Sequence, residues 1–183
     1  METPSVACSL CPRLVVFRGD AVPAVGSGTR DAAIMVVRAL PGNDDEAALL
    51  HHAMAANGVA EADVRVTHAL RCAPPGELAE PSEVMRCNMF LAAELRAAGS
   101  VRAVLALGIL AHEAVLLACG VPSARARFRH GMLHDLPDGL ILADAHPPRH
   151  YLTSADPAAT AAFDAILGAV SERLRLGVAS RAP

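Results

Sequence analysis

Four cysteines in this chain have the type and spacing for metal chemistry: Cys8 and Cys11 as a C-x-x-C pair, then Cys72 and Cys87. Cys72 sits in Arg71-Cys72-Ala73-Pro74-Pro75, and Cys87 falls on the helical segment that follows. A C-x-x-C pair puts two thiolates on one turn, and two more from distant segments complete a four-thiolate set. Such a set suits a cubane iron–sulfur cluster or a zinc ion. Separately buried, inert cysteines are the competing reading. A disulfide framework is not expected, because no signal peptide precedes Cys8 and the cytoplasmic location this implies keeps thiols reduced. Cys119 lies in the apolar run 111–120 and reads as packing rather than as a ligand.

These residues need elements to hold them. At 183 residues one domain is expected, with residues 1–176 folded and 177–183 a loose tail. The longest apolar stretch, 101–120, is broken by Arg102, His112 and Glu113, so no membrane partner is expected. The net charge of −3 argues against a generally basic surface, although 123–130 gathers Arg125, Arg127, Arg129 and His130 into one local patch. Strand-like runs at 33–37, 64–70, 103–107 and 140–145 alternate with helix-like segments at 45–57, 81–98, 109–119 and 157–176. This alternation predicts a single-domain α/β fold, a three-layer α/β/α sandwich around a small, mostly parallel sheet. In such sheets ligands bind beyond the carboxyl ends of the strands. Three strand-end loops carry unusual polar or proline chemistry there: 38–46, 68–75 and 146–152.

In chain order, these residues resemble the iron–sulfur branch of the uracil-DNA glycosylase superfamily, families 4 and 5. The similarity runs through Cys8-Ser9-Leu10-Cys11-Pro12, then Pro41-Gly42 after a strand, then Thr67-His68-Ala69-Leu70-Arg71-Cys72-Ala73-Pro74-Pro75. It continues through Cys87, Leu107-Gly108, Arg129-His130-Gly131 and Ala145-His146-Pro147. The resemblance implies a [4Fe-4S] cluster on Cys8, Cys11, Cys72 and Cys87, with zinc as the alternative occupant. It implies DNA containing a deaminated base as partner, a monomer, and hydrolysis of the N-glycosidic bond of a flipped-out base. His146 would then donate a hydrogen bond to the departing base anion, with Asp44, or its neighbour Asp45, taking over water positioning or cation stabilisation in the shortened first loop. His68, Pro41 and Gly42 would bind the base. Arg149, His150, Tyr151 and Leu152 would form a loop that meets DNA.

The chain also departs from the family pattern. Ala39 stands where a water-positioning polar residue is usual, and no Phe, Tyr or Trp lies between Phe17 and Phe90 to stack on a base. His68 replaces a base-reading asparagine, and Pro148 replaces the serine after His-Pro. A relative that binds a lesion without cleaving it is therefore the alternative expectation.

Overall fold

The computed structural model describes residues 8–154 and 157–179. Six strands form one sheet: β1 (Ser27–Gly28), β2 (Ile34–Arg38), β3 (Val64–His68), β4 (Ala103–Leu107), β5 (Leu133–Asp135) and β6 (Ile141–Ala145). Their spatial order is β1-β3-β2-β4-β6-β5. The inner four run parallel, and β1 and β5 pair antiparallel at the two edges. The expected α/β sandwich is observed, with the sheet covered on both faces. β2, β4 and β6 are buried along their whole length, as continuous apolar runs in a doubly covered parallel sheet must be.

Among the described residues the α-helices are α1 (Pro12–Arg18), α2 (Asp44–Ala56), α3 (Pro81–Ala97), α4 (Ile109–Ala118), α5 (Pro148–Thr153) and α6 (Pro157–Ala179). Helices α2 and α6 cover one face around Leu50, Leu105, Phe163 and Leu167; α3 and α4 cover the other around Leu91, Val104, Val115 and Leu142. The helix starts follow local chemistry. Asn43 caps α2 by accepting from the Glu46 N–H at 3.0 Å, ahead of Asp44, Asp45 and Glu46 in the first turn. α3 opens with Pro81 inside a reciprocal cap between Glu80 and Glu83.

Three features differ from the sequence expectation. Edge strands β1 and β5 are two and three residues long, too short to show an alternating pattern. The expected loop at 148–152 is the short helix α5, begun by Pro148 at its first position. Helix α6 continues past residue 176 to Ala179, and 180–183 of the expected tail lie outside the described residues. Among the described residues no helix is long and apolar enough to cross a membrane.

Candidate active site

Register puts the chemistry at one edge. His68, Arg38, Leu107 and Ala145 are successive partners across β3, β2, β4 and β6, so the three expected loops leave the sheet from a single row. Three strand spacings of about 4.8 Å separate the ends of that row, roughly 14 Å in all. His68 and His146 thus share the carboxyl edge but stand at opposite ends of it.

His146 follows β6 directly and is half-buried. Its ring stacks on His130 at 4.2 Å between centroids and 13° between planes. His150 lies 4.4 Å away, tilted by 46°, and Phe128 is tilted at 6.3 Å. The backbone N–H of His146 donates to the Tyr151 hydroxyl at 3.0 Å and faces His130 Nδ1 at 3.3 Å. Burial, then the neighbouring charges of His130 and His150, hold the His146 imidazole below its usual pKa. A neutral ring keeps one N–H to donate.

Beside it, Pro41 and Gly42 face Pro148 and Arg149 across a cleft of about 250 Å³, also lined by Arg38, Ala39, Leu40, Asn43, Glu46 and Glu77. Arg38 is almost fully buried and makes an ion pair with Glu46 that closes over Gly42. A Cβ there would strike the Arg38 guanidinium, so only glycine fits beneath the pair. Asp44 is exposed at the head of α2 and is not among the cleft residues; Glu46 is the carboxylate of that turn that lines it. His68 is mostly buried, and desolvation, then Arg38 and Arg71, push its pKa down to about 4. Its Nδ1 has no hydrogen-bond partner.

Among the four residues expected to meet DNA, Arg149, His150 and Leu152 are exposed, and Arg149 pairs with Glu77. Tyr151 points the other way. It is 5% exposed, packed in the core against Phe163 at 4.7 Å, and its hydroxyl holds His146 in place. Helical spacing explains the inversion: one turn of α5 must face the core, and position 151 occupies that face.

The four cysteines meet in one pocket. Cys8, Cys11, Cys72 and Cys87 line it together with Leu14, Leu70 and Phe90. Arg13 ties α1 to α3 by donating to both Glu83 carboxylate oxygens, at 2.9 and 2.7 Å. Arg18 Nη1 donates to Cys72 Sγ at 3.4 Å, and the Arg71 backbone N–H serves the Cys87 sulfur. Burial raises the Cys11 thiol and lifts Cys87 to about 11, so these sulfurs ionise only when a cation takes the proton's place. Among the described residues, only His112, His134 and Asp144 bring three ligand atoms within 4.8 Å of one another. Cys119 lies elsewhere, at the end of α4 near Asp138.

The profile described as "Uracil DNA glycosylase superfamily" matches residues 28–167. The chain belongs to the uracil-DNA glycosylase superfamily. It is 31% identical to the type-5 uracil-DNA glycosylase of Thermus thermophilus, over 78% of this chain and 83% of that protein. It is 30% identical to the Mycobacterium leprae type-5 enzyme, over 77% and 80%. With the Pyrobaculum aerophilum type-5 enzyme the identity is 31%, over 78% of each chain. Within this superfamily member, sequence reasoning missed Glu46, Phe128 and the His112–Asp144 pair, and it placed Tyr151 among the DNA contacts whereas the side chain lies in the core and holds His146. The run Arg127–His130 before a glycine was the one signal for Phe128 and His130, and its charge drew attention away from its rings.

Proposed function

We propose that the protein is a DNA glycosylase that hydrolyses the N-glycosidic bond of uracil, or of another deaminated base, in DNA. The observation that carries this reading is His146, neutral, stacked on His130 and anchored by its backbone at the carboxyl edge of the sheet. A deaminated pyrimidine leaves as an anion, and a preorganised N–H aimed at its oxygen stabilises the transition state. The flipped base enters beside Pro41 and Gly42, with His68 at the far end of the strand-end row. Asp44, at the exposed head of α2 and outside the Arg38–Glu46 pair, is assigned to orient water. Arg149, His150 and Leu152 face the DNA, and the protein works as a cytoplasmic monomer. Cys8, Cys11, Cys72 and Cys87 would hold a [4Fe-4S] cluster, which supplies structural bracing of the α1 segment and the Cys72 loop rather than redox chemistry.

A second reading, binding a lesion without cleavage, is favoured by one observation. The Arg38–Glu46 pair engages the cleft carboxylate, and Ala39 beside it offers nothing to hold water. A base-release assay on uracil-, hypoxanthine- and xanthine-containing DNA decides between them. Wild type is expected to release base, and His146→Ala to lose about a hundred- to a thousandfold in rate while retaining DNA binding. Wild-type binding with no release from any substrate would establish the second reading.

A further inference from the structure

We propose that His112 and Asp144 form a buried imidazolium–carboxylate pair that positions Phe128 and His130 against His146. Both residues are fully buried. Asp144 Oδ1 meets His112 Nδ1 at 2.6 Å, while Oδ2 meets His134 Nε2 at 2.8 Å and accepts the Arg129 N–H at 2.9 Å. The other nitrogen of His112, Nε2, meets the Ala126 carbonyl at 2.9 Å. A carbonyl oxygen only accepts, so Nε2 carries a proton. Nδ1 faces a carboxylate oxygen, and a lone pair there would oppose another lone pair at contact distance. One proton must lie between them, and the same carboxylate already accepts the Arg129 N–H and faces His134 Nε2, which favours its charged form and leaves that proton on Nδ1, so the ring is a cation. Burial alone would lower the His112 pKa, but the bonds to Asp144 and Ala126 outweigh it and the net direction is up.

The pair acts on one stretch of chain. The Ala126 carbonyl is held by His112, the Arg129 N–H by the Asp144 carboxylate, and the Gly131 N–H by the Asp144 backbone carbonyl at 2.9 Å. Between those anchors lie Phe128, edge-on to His112 at 5.7 Å, and His130, stacked on His146. The hydrogen-bond distances suit protons; a shared metal ion would have to push the His112 and Asp144 atoms apart. His112 and Asp144 are thus positioning residues, and their kinetic effect rests on the role of His146 proposed above.

Nitrogen-edited NMR of the intact wild-type protein is expected to show both His112 ring nitrogens protonated at neutral pH. His112→Gln and Asp144→Asn are expected to lower kcat for base release about ten- to a hundredfold with KM for DNA nearly unchanged, as misplacement of a catalytic group does. His134→Gln, which keeps a donor for Oδ2, stays near wild type. An unprotonated His112 nitrogen overturns the pair. Wild-type kcat in both folded variants overturns the positioning role. One zinc per chain, bound by wild type and lost in both variants, would make the cluster a metal site instead. The NMR result needs no variant to fold, and it stands even if wild type releases no base.

Discussion

The role proposed for His146 rests on its neighbours as much as on its own motif. Tyr151 accepts its backbone N–H from within the core. Tyr151→Phe keeps the ring packed on Phe163 and removes that acceptor, so urea unfolding should show a loss of about 1 kcal/mol. Base release should fall modestly, since the His130 stack remains. His68 makes a pH prediction. Its folded pKa of about 4 lies below the unfolded 6.5, so the native state binds fewer protons between those values. Stability is full above pH 6.5 and declines as pH falls toward 4, by up to about 3 kcal/mol. Urea midpoints of wild type should therefore fall more steeply with acid than those of His68→Gln; parallel declines would assign the acid sensitivity elsewhere. The meeting of the four cysteines in one pocket and the place of His146 after the last strand were legible, because their types and order are unusual in themselves. Phe128, Tyr151 and Asp144 were not, because each acquires meaning only through a partner brought near by the fold.

Among the elements, the strands and long helices follow from apolar periodicity and caps, and these were readable. α5 was not: a six-residue helix shows too little periodicity, and His-Pro-Pro reads as a loop. The cost of that misreading was Tyr151. The N-terminal element, α1 with its two cysteines, is tied to α3 through Arg13 and Glu83, and to the Cys72 loop through Arg18. Within Pro12–Arg18 only Leu14 is buried, so the proposed cluster should contribute most of what fixes the segment. Cys72→Ala should yield colourless, poorly soluble protein, whereas Cys119→Ala should stay brown and soluble. Visible absorption of anaerobically purified protein reads both outcomes. On the opposite face, Phe163 is 1% exposed and links α6 to Tyr151. Phe163→Ala should cost about 3–5 kcal/mol of stability.

Over the whole molecule, a net charge of −3 gives no general attraction to a polyanion, so the proposed DNA contact must rest on local cations at the carboxyl edge. Arg149 is the one proposed here, and Glu77 engages it in an ion pair. Glu77→Gln should release Arg149 and tighten binding. Arg149→Ala should weaken binding and reduce the slope of log affinity against log salt by roughly 0.9, the value for one phosphate contact. Equal salt slopes for wild type and Arg149→Ala would remove Arg149 from the interface.

The two edge strands have a consequence of another kind. A sheet that ends in long, flat strands offers a row of unpaired amides and carbonyls on which another chain can add. Here each margin closes with an antiparallel strand of only two or three residues. The aliphatic strands that would template fibrils, β2, β4 and β6, are all interior to the sheet. The fold thereby carries its own guard against self-propagating strand addition, made from the two pieces of sheet too short to leave a pattern in the sequence.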